Sequence, residues 1–168
     1  MSDEGMGNAL KLGSLAAVLV AGILVWRWAV NPERQVRRHQ ARLLEALEDK
    51  AWSAVNRSFS EQYRDRWGHD KAFLEGFSRE VFRQFLELEI RTEEVGLEIA
   101  ADGMDATVRV KMEMLGRGGP FAEGAVAAVR ALREPMEFRW SRRGNSPWAW
   151  ELTGFEQVEL EIPELPVL

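Results

Sequence analysis

Residues 95–110 read Val95-Gly-Leu-Glu-Ile-Ala-Ala-Asp-Gly-Met-Asp-Ala-Thr-Val-Arg-Val110. Asp102-Gly103 is a pair that tolerates the positive φ of a tight hairpin turn. Centring a turn there sets Ala101 against Met104, Ile99 against Ala106, Leu97 against Val108 and Val95 against Val110. Every pair is apolar and falls on one face, while Asp105, Thr107, Arg109, Lys111 and Glu113 fall on the other. Turn chemistry and alternation agree, so this stretch is an antiparallel hairpin with one buried face.

Upstream the alternation continues with Leu88 and Ile90, one residue out of phase with Val95, Leu97 and Ile99. A slip near Glu93-Glu94 predicts a β-bulge or a tight turn. Downstream, Gly116-Arg-Gly-Gly-Pro120 reads as loop, and Phe121, Ala125, Ala128, Val129 and Leu132 line one side of a short helix. Residues 116–133 are either a surface connection or a lid facing a partner. Met136, Phe138 and Trp140 resume a strand. A turn centred on Asn145 places Trp140 opposite Trp150 and Phe138 opposite Leu152, and Val158, Leu160 and Ile162 extend the alternation to Pro163.

The helices precede the strands. Val36, Leu43, Leu47, Ala51 and Ala54 make an apolar face over residues 33 to about 50, with Arg34, Arg38, Arg42, Glu45 and Asp49 opposite. A second short helix covers about 52–60. Tyr63, Asp65 and Trp67 alternate as a short strand would; Gly68 marks a turn and Asp70 caps a helix running to about Phe85, with Phe73, Leu74, Phe77 and Val81 on its apolar side. Helices followed by a run of antiparallel strands predict an α+β domain with about three helices packed on a curved sheet.

The beginning of the chain has another character. Residues 1–11 form a short acidic tail, and Leu12–Val30 reads LGSLAAVLVAGILVWRWAV, with Arg27 its one charge. As a helix it is roughly 28 Å long, close to the ~30 Å hydrocarbon core. It is apolar all round, its start lacks basic residues and its far end is a bulky Trp-Arg-Trp, so it reads as an uncleaved single-pass transmembrane anchor and not a signal peptide. Asn31-Pro32 breaks it and caps the next helix. One Lys precedes the span; Arg27, Arg34, Arg37, Arg38 and Arg42 follow. By the positive-inside rule the domain of residues 31–168 lies in the cytoplasm of a bacterial cell, the periplasmic or extracellular placement being the alternative. Those arginines are the candidates for anionic lipid headgroups.

The net charge of −5 conceals a split: −1 over residues 1–11, +4 over 27–42, and −8 over 43–168. An acidic body of this kind excludes nucleic acid as a partner. With two histidines and no cysteine, no metal site or cofactor is expected, and Gly116, Gly118 and Gly119 lack the Lys-Ser/Thr of a phosphate loop. His39, among arginines, reads as solvated. The partners left are the lipid bilayer, a second copy of the chain or a membrane protein.

Three segments carry a resemblance: Phe59-Ser-Glu-Gln-Tyr63, Asp102-Gly-Met-Asp-Ala-Thr107 and Trp148-Ala-Trp-Glu-Leu-Thr-Gly-Phe155. With the element order, they make Glu33–Ile162 resemble the nuclear transport factor 2-like domains, the cystatin-like α+β cone that includes SnoaL-like proteins. The resemblance implies a conical pocket, with Trp67, Phe77, Trp140 and Trp150 as candidates to line it, although tryptophans at such positions are more often core. Some members are isomerases, dehydratases or hydrolases in which pocket Asp, His and Tyr act as acids and bases. The candidates of those types here are Asp65, His69 and Tyr63, none of which aligns with a catalytic motif; the plainer reading has Tyr63 and Trp67 packing, Asp70 capping and His69 in the turn. Many members are non-catalytic binding modules, so the expected function is a membrane-anchored binding or assembly module, with a tethered enzyme for a small apolar molecule as the alternative.

Overall fold

The structure, a computed structural model, describes residues 19–23, 25–27, 30–144 and 146–160. Pro32–Glu48 is helix α1. It starts where the sequence demands: the Asn31 side chain accepts the Arg34 N–H at 3.3 Å and Pro32 sits in the first turn. Helices α2 (Trp52–Ser58) and α3 (Lys71–Arg83) follow, the latter capped by Asp70, which accepts the Phe73 N–H at 2.9 Å. Then come β1 (Phe85–Ile99), β2 (Asp105–Gly118), α4 (Pro120–Ala131), β3 (Met136–Arg142) and β4 (Trp150–Glu156). The strands form one antiparallel sheet in the order β1-β2-β3-β4.

The Asp102-Gly103 hairpin forms with the expected register: Ile99 pairs with Ala106 and Leu97 with Val108, and Gly103 takes φ +68°. Val95 does not pair with Val110. The predicted slip is a bulge that leaves Val95 between Glu94 (opposite Val110) and Gly96 (opposite Arg109), and Val95 is 45% exposed. Beyond the bulge, Glu93 faces Lys111, Arg91 faces Glu113 and Glu87 faces Arg117 across the strands. These opposite-charge pairs support one register of a long arm whose outer face meets water.

The inner face carries the core. Val108, Val110, Met136, Phe138, Trp140, Trp150 and Leu152 from the sheet pack on Val36, Leu43 and Ala46 of α1, Val55 of α2, and Phe59 and Tyr63. A smaller cluster of Phe85, Met114 and Ala122 joins the arm to α4. Gln40, on the apolar side of α1, is also buried, and its Oε1 accepts the Trp140 indole N–H at 2.9 Å, tying α1 to β3.

Several expectations are corrected. Tyr63-Asp65-Trp67 is not a strand; Asp65 accepts the backbone N–H groups of Trp67 (2.9 Å) and His69 (2.8 Å), and that side chain bends the segment into a turn. Phe85 opens β1 and is not on the preceding helix. Gly116 and Gly118 belong to β2, not to a loop. A Cβ on Gly116 would lie 2.8 Å from the Glu87 carbonyl oxygen, and one on Gly118 would strike the Gln84 carbonyl and sit 2.6 Å from the Ala122 Cβ. These glycines permit close approach of backbone, not a turn. On the helix that follows, Phe121 points to solvent and Ala122 is buried.

The β3–β4 register differs by two residues from the expected one: Trp140 faces Leu152 and Arg142 faces Trp150, because the connection is wider. A shift of two preserves the faces, so the same side chains remain buried. A bulge at Thr153 then sets Phe138 opposite Phe155. The alternation ends at Glu156. The Gln157 side chain accepts the backbone N–H groups of Glu159 and Leu160 and makes a turn of the next residues, with Val158 exposed; Ile162 lies outside the described residues. His39 is half-buried, not solvated, and its Nε2–H donates to the Trp148 carbonyl at 3.0 Å.

The expected anchor, Leu12–Val30, falls largely outside the described residues. Residues 19–23 and 25–27 are helical, and among the described residues no helix is long and apolar enough to cross a membrane.

Candidate functional site

The segment between α2 and α3 holds the candidate acid–base residues. It runs beside β4: Phe59 bridges to Leu152, Ser60 N–H donates to the Leu152 carbonyl at 2.9 Å and Arg64 N–H to the Thr153 carbonyl at 3.0 Å. These bonds carry Tyr63 into the core, where it is fully buried with its ring edge-on to Phe59, centroids 5.4 Å apart. Burial, with the Asp65 charge adding to it, pushes the phenol well above its usual range. Its hydroxyl is buried without a hydrogen-bond partner.

Asp65 and His69 meet. The Asp65 carboxylate is fully buried, and its Oδ2 lies 2.9 Å from His69 Nδ1 while Oδ1 accepts the Trp67 and His69 N–H groups. Three donors converge on this one carboxylate, and all come from its own turn. His69 lies flat on Phe73, with ring centroids 3.8 Å apart and planes 10° apart, and Phe73 stacks on Phe77 at 5.8 Å. Trp67 is half-buried, 6.1 Å from Phe155 and 6.4 Å from His69 between centroids. The structure therefore joins Asp65, His69, Trp67 and Phe77 in one aromatic column along the start of α3.

Trp140 and Trp150 lie elsewhere. They are 1% and 2% exposed at the centre of the sheet's inner face, with Tyr63 and Phe138 around them. Two of the clefts among the described residues are large enough to admit a small molecule. One, of about 620 Å³, lies along β4 and is bounded by Arg57, Ser60, Lys71, Arg142, Arg143 and Thr153. The other, of about 280 Å³, lies between β2 and the segment after α4, at Lys111, Met112, Arg133 and Met136. Neither is lined by Tyr63, Asp65, His69, Trp67, Phe77, Trp140 or Trp150. Tyr63, Phe138, Trp140 and Trp150 are buried together between the helices and the sheet. No group of three or more His, Asp or Glu able to hold a metal occurs among the described residues.

Of the arginines expected to face lipid, Arg27, Arg34, Arg38 and Arg42 are exposed. Arg37 is engaged within the domain: its guanidinium grips the Glu94 carboxylate with contacts of 2.9 Å from both Nε and Nη2, and reaches Glu33 at 3.3 Å. The β1 bulge beside Glu94 brings that carboxylate to α1, a pairing the sequence spacing gave no means of finding.

Gln40 and the Arg57–Arg142 cleft were not legible as functional features. Gln40 reads as a polar interruption of the α1 face, and the cleft assembles residues from four separate segments.

No family model matches this chain, and no curated protein sequence matches it. Solved structures do. Bd1075 of Bdellovibrio bacteriovorus superposes with a TM-score of 0.54 over 73% of this chain at 6% identity; the chain spans only 38% of that protein. ActVI-ORFA of Streptomyces coelicolor gives 0.54 over 74% of this chain and 95% of its own, at 13% identity. A protein of unknown function from Nostoc punctiforme, described as having a cystatin-like fold, gives 0.50 over 73% and 86%, at 13% identity. Likeness at such identities concerns the fold alone, which is α+β and similar to the cystatin-like fold of the Nostoc protein.

Proposed function

We propose that this protein is a single-span, membrane-anchored binding or assembly module, non-catalytic, with its domain on the cytoplasmic side. The observation that carries the reading is the filled interior. Trp140, Trp150, Tyr63 and Phe138 are packed as buried core between helices and sheet, and the Asp65 carboxylate is spent on holding its own turn. A general acid or base must reach a substrate atom, directly or through one water. The anchor reading is supported by the sequence of residues 12–30 and by the exposure of Leu19, Val20, Ile23, Val25 and Trp26, each 56–64% accessible. Large apolar side chains left exposed in this way are what lipid would cover. The bilayer is the first partner of the reading. A second copy or a membrane protein is the next, and nucleic acid is none.

Alkaline carbonate washing of membranes from cells expressing the full chain tests the anchor. The chain is expected in the pellet; release into the supernatant overturns it. A reporter active only in the periplasm, fused after Leu168, is expected to stay silent, and activity there reverses the orientation.

One observation favours the enzyme reading: Asp65, paired with His69, acts electrostatically on the buried Tyr63 phenol, whose hydroxyl has no hydrogen-bond partner among the described residues. That reading needs an apolar small molecule to enter the cone, and a ligand seated against Tyr63 would establish it.

A further inference from the structure

The larger cleft is rich in cations in an otherwise acidic domain. Arg57 at the end of α2, Lys71 at the start of α3, and Arg142 and Arg143 at the end of β3 border it, together with Glu61 and Glu151. The carboxylates are already matched: Lys71 Nζ lies 2.6 Å from Glu61, and Arg143 lies 3.2 Å from Glu151. Arg57 and Arg142 have no acidic partner among the described residues.

Arg142 is the informative one. It is half-buried, its backbone is fixed by pairing with Trp150 and by a 2.7 Å hydrogen bond from its N–H to the Met104 carbonyl, and its Nε is buried with no acceptor. Among the described residues its Nη2 meets the Met104 thioether sulfur, at 2.8 Å. A thioether is a weak acceptor and carries no charge. A half-buried guanidinium with no counter-ion beside it is less well satisfied than one paired with an anion, and an anion arriving at its exposed edge supplies that partner.

We propose that this cleft binds a phosphate-class oxyanion, held by the Arg142 guanidinium together with Arg57, which lines the same cleft. Guanidinium donors make short, charge-assisted hydrogen bonds to phosphate oxygens, and about 620 Å³ accommodates a phosphate with an organic substituent. Two sources supply this chemistry. A soluble phosphate ester enters from the side. A phospholipid headgroup is the other source, because the β3–β4 connection also carries Trp148, which meets Trp26 edge-on at 6.1 Å between centroids. The cleft is built by the domain alone and does not depend on the anchor.

The test uses the full chain in non-ionic detergent and reads thermal stabilisation as a function of added glycerol phosphate or dihexanoyl phosphatidylglycerol. Saturable stabilisation is expected, with an apparent Kd at least tenfold weaker in Arg57→Gln and in Arg142→Gln and unchanged in Arg130→Gln, a change on exposed α4 surface. Equal Kd values for the two probes assign the soluble source; a lipid Kd at least tenfold tighter assigns the headgroup. Arg57 is exposed, so its variant keeps the test decisive if Arg142→Gln does not fold. Absence of saturable binding by either probe, or the same Kd in Arg57→Gln as in the unaltered chain, overturns the proposal.

Discussion

Replacing Trp140 by Phe perturbs the link between the first helix and the third strand. The indole is 1% exposed and donates to Gln40 Oε1 at 2.9 Å, while the Gln40 amide nitrogen is buried with no acceptor. The smaller ring forfeits about 1 kcal/mol of apolar burial. It also strands a buried amide oxygen, at about 1–3 kcal/mol. The expected loss is therefore about 2–4 kcal/mol. Gln40→Leu alone strands the indole N–H but removes the unpartnered amide nitrogen, so it costs less, about 0–2 kcal/mol. The double variant contains neither stranded group and should be more stable than the sum of the single losses by about 1 kcal/mol or more. Urea unfolding of residues 31–168 and its three variants gives the cycle. Additivity within about 0.5 kcal/mol would show that the two side chains do not interact, and would refute the account of how α1 is held on the sheet.

Three further outcomes are expected. Tyr63→Phe removes a buried hydroxyl that has no partner and keeps the ring, so it should leave stability unchanged or raise it by about 1 kcal/mol; a loss of that size in urea would mean the hydroxyl is bonded. Burial holds the His39 imidazole below its ordinary 6.5, so the folded state favours the neutral ring. Its contribution is complete above that value and is lost as pH falls through the lower folded pKa; His39→Gln should flatten the decline in urea midpoint between pH 7.5 and 5. Gly118→Ala should cost about 1–3 kcal/mol by forcing Ala122 and the Gln84 carbonyl away, whereas Gly124→Ala, with open space around its Cβ in α4, should gain about 0.5–1 kcal/mol; equal melting temperatures would contradict this.

The hairpin was legible because two independent signals coincide in it: a turn pair that accepts positive φ, and apolar alternation of matching phase. The caps Asn31 and Asp70 were legible for a similar reason, since a short side chain with an acceptor stood just before an apolar face. Gly116 and Gly118 misled because a glycine that admits a neighbouring backbone looks like one that turns a corner. The β3–β4 register was missed by two because the width of a polar connection leaves no trace in alternation. Among the site candidates, the Asp65–His69 contact follows from a shared turn, and four residues of spacing made it reachable. Whether Trp140 and Trp150 line a cavity or fill it depends on how far helices stand from the sheet, which a sequence does not encode locally. The unpaired guanidinium of Arg142 was invisible for the same reason, because its surroundings come from distant segments.

The central claim is that the space between helices and sheet is occupied by protein. Xenon enters apolar cavities that are empty. A crystal structure of the protein under xenon pressure should show no xenon among Tyr63, Phe138, Trp140 and Trp150. Ordered xenon at that place would reveal a hollow cone and contradict the account.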